Sequence, residues 1–522
     1  MGLTKNEKKY SLDLISFLKL NPNVSQLKLN SEKMKLCKKH KLKKLPLNSE
    51  TLEYCNKKDI EKIKPLLQIK NVRLNAGVNV IAVMSPPKPC PHGKCIFCPG
   101  GVDENLPQSY TGYEPAAMRA KQNSYDSYKQ TKNRLEQLKN VGHDISKLEI
   151  IIMGGTFPSY DVPFQKKFMK GVFDGIAFDE KKSKTFESAK KKMEVYKYRP
   201  IGVTFETRPD SANKDQIKNM LYFGGTRVEL GVQSLNDKVL KINNRKHTVK
   251  EVISTTQNLK DSGFKVLYHI MPGLYKSTFS QDVKDFKKLF SEPFSPDMLK
   301  IYPCLVIKGT KLHGLWKKGA YKPYTNSQLE KYLSKIYYEI PYWTRLMRIQ
   351  RDIPSTKIEA GPTKSNFRDI ILKKLDLEKI KEIRAREYGK KIPLKTSDIE
   401  YFTEKYKASK GTEYFISAED PDRKTLFGFV RLRFPYKPFI ENLKDSAIIR
   451  ELHVYGNMTP VGQENKSAFG QHKGFGKTLL SMAEEIAKEK YNKLSVISGI
   501  GARQYYYKLG YKIDGDYVSK KL

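Results

Sequence analysis

NVIAVMSPPKPCPHGKCIFCPGG, residues 79–101, is the stretch on which the reading of this chain turns. It opens with a short apolar run that reads as a buried strand. Directly after it, Cys90-x4-Cys95-x2-Cys98 puts three thiols on one tight loop. The other three cysteines, Cys37, Cys55 and Cys304, are scattered. A disulfide framework would spread and pair its cysteines, whereas a cluster in a large basic chain reads as metal ligation in a reducing cytosol.

Downstream of the loop, short β-rich runs alternate with helical patterns. Candidate strands are 79–84, 148–153, 201–205, 226–232, 264–270 and 298–303, with helices expected over 114–140, 214–223 and 248–262. Near-continuous apolar strands in β–α alternation indicate a parallel sheet covered by helices. Six such units predict a full or partial (β/α) barrel over 73–353, with its chemistry at the C-terminal ends of the strands. After a connector at 354–375 the texture changes. A meander, a long strand, a Gly-rich turn into a helix at about 475–489 and a last strand pair predict a compact α+β domain over 376–522. Residues 1–72 read as a mainly helical segment broken at Pro22, Pro46 and Pro65, in which Lys outnumbers Asp and Glu together by more than two to one.

A chain of 522 residues with 39% hydrophobic and 11% aromatic content can build real cores, which rules out disorder over most of its length. Lys and Arg number 97 against 56 Asp and Glu, a formal charge of +41. Such an excess points to a polyanionic partner, with nucleic acid first among them. The block KKHKLKKLP at 38–46 fits phosphate contacts. No stretch approaches the ~18 apolar residues of a membrane span, and the polar start MGLTKNEKKY has no signal-peptide core. The expectation is a soluble cytoplasmic protein without membrane partners.

Three readings of the cysteine loop compete. A zinc knuckle would need His92 as fourth ligand, strained by its closeness to Cys90. A two-iron ferredoxin site would need Cys304. Three thiolates can instead hold three corners of a [4Fe-4S] cluster and leave one iron open to S-adenosylmethionine. The position after the first barrel strand favours this radical-SAM arrangement. Further polar groups fall at later strand ends: Gly154-Gly155-Thr156, Glu206-Thr207-Arg208, Glu229 and Gln233. Gly154, Gly155, Glu206, Arg208, Glu229 and Gln233 are the residues expected to meet S-adenosylmethionine.

Near the C-terminus, FGQHKGFGKTLLSMAEE resembles a phosphate-binding loop, but a Walker motif would require glycine where Gln471 stands. Gln471-x-x-Gly474-x-Gly476 between a strand and a helix fits the acyl-CoA loop of GNAT acetyltransferases, whose backbone N–H groups cradle pyrophosphate. The preceding Glu451-Leu452-His453-Val454 would offer main-chain groups to the pantetheine arm. Tyr506 could reach the CoA sulfur, while Tyr505 is expected to serve packing.

CPHGKCIFCPGG, QSYTGYEPAAMRA, IIMGGTF, ETRPD, RVELGVQS, RELHVYG, QHKGFGK and ISGIGARQYYYKLGY together resemble the catalytic subunit family of Elongator, the radical-SAM/GNAT tRNA uridine carboxymethyltransferases. The resemblance spans residues 73 to 522, and the short cysteine loop suits the stand-alone archaeal type. It implies that Cys90, Cys95 and Cys98 ligate the cluster. It also implies that Lys147, Glu451 to Val454, Gln471, Gly474, Phe475, Gly476, Lys477, Thr478 and Tyr506 contact acetyl-CoA, with Lys147 and Tyr506 nearest the chemistry. Many members hold a structural zinc with cysteines in the connector. KEIRAREYG has none, so that site is expected to be absent or altered.

The implied reaction converts the wobble uridine in the anticodon stem-loop of tRNA to 5-carboxymethyluridine. A 5′-deoxyadenosyl radical from S-adenosylmethionine would activate the acetyl methyl of acetyl-CoA for attack on uracil C5. An electron donor is then required, and accessory subunits are not expected to be. A protein N-acetyltransferase is the alternative from another class, which the charge of +41 disfavours for basic protein tails. A non-catalytic tRNA-binding scaffold would leave the cysteine loop without purpose.

Overall fold

A computed structural model describes residues 4–42, 45–46, 48–52, 54–67, 77–140, 143–388, 399–455 and 474–522. Seven strands form the first sheet: β1 (Asn79–Met84), β2 (Lys147–Met153), β3 (Arg199–Thr207), β4 (Arg227–Gln233), β5 (Lys265–Ile270), β6 (Met298–Ile301) and β7 (Arg345–Ile349). They lie in sequence order with every neighbouring pair parallel. Each crossover therefore has to pass over a face of the sheet, and helices supply it. Along β2 the side chains alternate: Leu148, Ile150 and Ile152 are fully buried toward the helices, while Lys147, Glu149, Ile151 and Met153 are partly accessible. The outer face packs with Leu135, Val172, Phe173, Val203 and Phe205 into one large core. The inner wall is polar. Arg351, just beyond β7, donates to the Ser109 carbonyl from the segment after β1, so the two sheet edges approach at the mouth of a partial barrel.

Six strands match the runs read from sequence to within two residues at either end. β7 was not foreseen, because RLMRI carries two arginines in five residues. The single helix expected over 114–140 is two, Pro115–Gln122 and Ser127–Asn140, parted where Ser124 and Tyr125 adopt φ of 51° and 57°. In the connector, Phe367 and Ile371 are fully buried in the barrel core.

The second sheet contains β8 (Glu400–Ala408), β9 (Gly411–Glu419), β10 (Leu426–Phe434), β11 (Ala447–Val454), β12 (Lys493–Val496), β13 (Lys512–Asp514) and β14 (Tyr517–Lys521). Their order is β13-β14-β12-β11-β10-β9-β8, and only β11 and β12 run parallel. The helix Phe475–Lys488 buries Leu479, Leu480 and Ala483 against this sheet. The N-terminal helices Lys5–Leu20, Gln26–Lys39, Asn48–Leu52 and Lys57–Leu67 share a core of their own around Tyr10, Leu14, Leu18, Leu29 and Ile63. The last of these helices runs through Pro65, which was expected to end it.

The α+β domain is pressed onto the N-terminal ends of the barrel strands. A Cβ on Gly499 would lie 2.0 Å from the Ile201 carbonyl oxygen, so only glycine lets this loop reach β3. Ile448, Ile497 and Ile500 join the barrel core. Beside them runs a fully buried ionic seam of Lys260, Asp261 and Asp297 from the barrel with Glu413, Arg433 and Arg450 from the second sheet. No helix among the described residues is long and apolar enough to cross a membrane.

Candidate active site at the mouth of the barrel

The loop after β1 carries Cys90, Cys95 and Cys98 into a cavity at the C-terminal ends of the strands. The cavity is also lined by Gly155, Glu206, Arg208, Glu229, Gln233, His269, Lys300, Arg348 and Arg351. Each sulfur has a neighbour that suits a thiolate. Ser109 N–H donates to Cys98 Sγ at 3.1 Å, and Arg245 Nη1 lies 3.5 Å from Cys95 Sγ. Thr156 Oγ1 is 3.6 Å from Cys90 Sγ, and the Cys90 N–H is held by Gln108 Oε1 at 2.6 Å. Burial pushes the Cys98 thiol up to about 11 and the Cys90 thiol upward as well. These sulfurs therefore ionise only against a cation or metal.

The geometry separates the three readings of the loop. His92 Nε2 sits 3.2 Å from Cys95 Sγ and 3.0 Å from Arg208 Nη1, so a guanidinium occupies the place a zinc ion would take on that nitrogen, while the buried Nδ1 has no partner among the described residues. Burial, with Arg208 and Arg245 nearby, pushes His92 down to about 3. Cys304 is buried among Met271, Leu274 and Tyr321 and does not line the cavity, which removes the fourth ligand of a two-iron site. Three sulfurs with no carboxylate among the donors fit a four-iron cluster held at three corners. Gly154 and Gly155, at φ of 115° and 95°, bring bare backbone beside it. A Cβ on Gly154 would meet Ser85 Oγ at 2.4 Å, and one on Gly155 would lie 3.9 Å from Cys90 Sγ.

The strand-end residues divide into two groups. Glu206 accepts from the Tyr110 hydroxyl at 2.7 Å and lines the cavity. Glu229 is fully buried between Lys300, which pairs with it, and His269 Nε2 at 2.8 Å. Burial alone would raise its carboxyl, but Lys300 and His269 outweigh that and hold it well below the usual carboxylate range. Gln233, at φ of 69°, leaves its buried Oε1 without a partner among the described residues. Arg208 lines the cavity as well, with its guanidinium held on Asp210 at 2.9 and 2.7 Å, on His92 and on the Arg245 carbonyl. Tyr110, Arg245, His269, Lys300 and Arg348 were not read from sequence as part of the site. Lone polar residues inside apolar strand runs, His269 in KVLYHI and Lys300 in MLKI, were the available signal.

Lys147 stands at the opposite end of the barrel, paired in register with Arg199. Burial, and then Arg199, lower its ammonium below the ordinary range. This floor faces β11 of the second sheet. Glu451 pairs with Arg431 at 2.9 Å and lies within electrostatic reach of Lys265, and the Tyr455 hydroxyl accepts from Arg345 at 2.8 Å. Arg345 is thereby held in the seam with Glu387. Ala447 to Arg450 are buried, whereas Glu451, Leu452, His453 and Val454 are only partly so, leaving edge available.

Gly474 caps the helix Phe475–Lys488 with φ of 86° and no side-chain cap. Among the described residues no side chain caps the first N–H groups of that helix, an arrangement that suits an anion. Lys477 and Thr478 are exposed in its first turn, while Gln471 lies outside the described residues. Tyr506 is buried in the domain core against Tyr511, and burial raises its hydroxyl. Tyr505, expected to serve packing, has its hydroxyl 2.9 Å from where a Cβ on Gly476 would stand. The Tyr505 hydroxyl therefore stands against the glycine turn.

Comparison with known proteins agrees with this architecture. The sequence pattern of the Radical SAM superfamily matches residues 84–289, and that of the Radical SAM C-terminal domain matches 296–376. A tRNA uridine(34) acetyltransferase of Methanocaldococcus infernus is 46% identical over 472 residues, covering 88% of each chain. Elongator complex protein 3 of Homo sapiens is 41% identical over 478 residues, covering 88% of this chain and 87% of that protein. The solved structure of archaeal Elongator protein 3 from Methanocaldococcus infernus, with an N-terminal deletion, superposes with a TM-score of 0.75 at 42% identity, over 86% of this chain and all of that one. The chain thus belongs to the radical S-adenosylmethionine family whose members are named tRNA uridine(34) acetyltransferase and Elongator complex protein 3.

Proposed function

We propose that the protein modifies the wobble uridine of tRNA, using S-adenosylmethionine at the barrel mouth and acetyl-CoA at the second domain to form 5-carboxymethyluridine. The observation that carries this reading is the fixed seam between a three-cysteine barrel and a sheet whose helix N-terminus suits a pyrophosphate. An ordinary acetylase needs no such barrel. When bound, the cluster supplies the electron that cleaves S-adenosylmethionine and so starts radical chemistry on an otherwise unreactive methyl group.

The chain's own residues orient and shield. Cys90, Cys95 and Cys98 would hold the cluster. Gly154 and Gly155 give the amino-acid end of S-adenosylmethionine a close backbone, and Glu206 with Tyr110 offers acceptor and donor to its ribose. Glu229, paired with Lys300 and hydrogen-bonded to His269, gives the cavity wall a fixed polar pattern. At the second domain, Gly474, Phe475 and Gly476 would present N–H groups to pyrophosphate, with Lys477 and Thr478 alongside. Glu451 to Val454 would run beside the pantetheine arm. Tyr505 and Tyr506 would serve the thioester end, with Lys147 at the barrel floor. The basic N-terminal helices, residues 1–72 in our division of the chain, would hold tRNA backbone.

Anaerobic reconstitution with iron and sulfide, followed by nucleoside analysis of tRNA treated with both cofactors, tests the proposal. 5-Carboxymethyluridine that vanishes when S-adenosylmethionine is omitted supports it. Acetyl transfer to protein that continues without S-adenosylmethionine would establish an ordinary acetylase instead.

A further inference from the structure

We infer that Arg245 is the counter-cation of the iron–sulfur site, a positioning residue that fixes Cys95 and raises the reduction potential of the cluster. This rests on the radical-SAM reading of the cysteine loop and goes beyond it by assigning a task to a residue outside the loop.

Arg245 is only 6% exposed. Its Nη2 donates to the Gly231 carbonyl at 2.5 Å, its Nη1 lies 3.5 Å from Cys95 Sγ, and its Nε has no acceptor among the described residues. The neighbouring buried arginines differ. Arg208 is paired with Asp210, and Arg227 with Glu149. Arg245 makes no ion pair with a carboxylate among the described residues. A buried guanidinium without an anion is costly, so a chain that keeps one there has an anion to meet. The sulfur of Cys95 is the group it faces.

The arginine is also held in place from several sides. Its own carbonyl accepts from Arg208 Nη2 at 2.6 Å. The loop around it grips the cysteine loop: Asn244 Nδ2 donates to the Lys94 carbonyl at 2.7 Å, and Ile96 N–H donates to the Asn243 carbonyl at 3.3 Å. On β4, a Cβ at Gly231 would stand 3.2 Å from Arg245 Nη2, so the bare strand leaves room for the guanidinium. Residues 243–245 therefore form the back wall of the cysteine loop, with one fixed charge aimed at a ligating sulfur.

A cluster bound by three thiolates brings negative charge to this wall, and reduction adds more. A fixed cation at hydrogen-bond range stabilises the reduced form more than the oxidised form and so raises the potential. Arg245→Gln keeps a polar side chain of moderate size and removes the charge. Arg245→Lys keeps the charge but loses the fork that reaches both Gly231 and Cys95.

The test is a redox titration of the anaerobically reconstituted full-length protein, followed by electron paramagnetic resonance. Arg245→Gln is expected to disfavour cluster reduction about tenfold, ~59 mV for a one-electron couple. Arg245→Lys is expected to stay within about threefold of wild type. A Gln variant that binds its cluster at the wild-type potential overturns the proposal. If Gln holds no cluster, Lys decides: wild-type iron content and potential support the charge, and loss of the cluster in Lys as well overturns it. A wild-type protein that takes up no four-iron cluster overturns the underlying reading, an outcome distinct from a cluster whose potential ignores Arg245.

Discussion

Arg433 of the second sheet donates to Asp261 of the barrel through two N–H groups, Nε at 2.9 Å and Nη2 at 2.6 Å, and neither residue is exposed to solvent. The pair is one link in a chain of alternating charge. Arg433 also reaches Glu413 at 2.8 Å, and Glu413 and Asp297 share Arg450 at 2.8 and 2.6 Å. Sliding one domain over the other would strip these charges of their partners in a dry interface. The barrel and the second domain are therefore one rigid unit, with Lys147 held at the floor and the cysteine loop at the mouth. At ~3.3 Å per residue, the length of β2 puts about 20 Å between these two levels.

Breaking that pair from one side should be severe. Asp261→Ala leaves Arg433 with one carboxylate instead of two and removes the acceptor of the Tyr436 and Lys437 N–H groups. A loss of about 3–5 kcal/mol is expected, measured by chemical denaturation. The joint substitution Asp261→Leu with Arg433→Met should cost less than Asp261→Ala, because no charge is stranded. Equal loss in both would show that packing, rather than charge, holds the seam.

How much of this was legible in the sequence follows from what each part depends on. β1 and the cysteine loop were clear because an apolar run meets a dense cysteine spacing. β7 was not, since Arg345 and Arg348 interrupt its pattern, even though Leu346 between them is fully buried. β8 was missed for a related reason: as an edge strand it alternates exposed and half-exposed residues, EYFTEKYKA, and reads as polar. Tyr506 was read toward the CoA sulfur and Tyr505 as packing, and the closeness of Tyr505 to the glycine turn was not legible, because neighbours in a helix point about 100° apart and the orientation of Arg503–Tyr507 is set by tertiary packing. Arg245 sits in an irregular loop where no periodicity marks it. Its role emerges only when β4 and the cysteine loop come together.

Cys95→Ser should abolish the iron–sulfur absorption and the formation of 5′-deoxyadenosine. Cys95 is the buried middle cysteine of the loop, contacted by both His92 and Arg245, and a hydroxyl in its place would be a poor ligand for iron. Iron and sulfide analysis with ultraviolet–visible spectra after reconstitution checks this. Full cluster content with normal cleavage would move the metal site elsewhere.

Gly476→Glu should abolish acetyl-CoA binding and leave the cluster intact. Its Cβ would stand 2.9 Å from the Tyr505 hydroxyl, and its carboxylate would project at a helix N-terminus, where it would repel the phosphate groups proposed to bind there. Calorimetry with acetyl-CoA should show at least a hundredfold loss, about 2.7 kcal/mol. Unchanged affinity would exclude this glycine turn as the pyrophosphate site.

Deleting residues 1–72 should weaken tRNA binding without disturbing either catalytic fold. The N-terminal helices have a core of their own around Tyr10, Leu14 and Ile63, and the archaeal relative was solved with its N-terminus deleted. The deletion removes a segment in which positive charge dominates. Phosphate contacts release counterions, so their loss should lower affinity most at low salt and flatten the dependence of log K on log salt. Selectivity among tRNAs should change little, since phosphate contacts position the RNA and carry no base information. Gel-shift titrations of full-length and truncated protein across a salt series measure both quantities. Equal affinity and equal slope would remove these helices from the RNA-binding surface. The task would then fall to cations at the barrel mouth: Arg348, half-exposed beside Asp352, and Arg351, which packs over the Tyr302 ring.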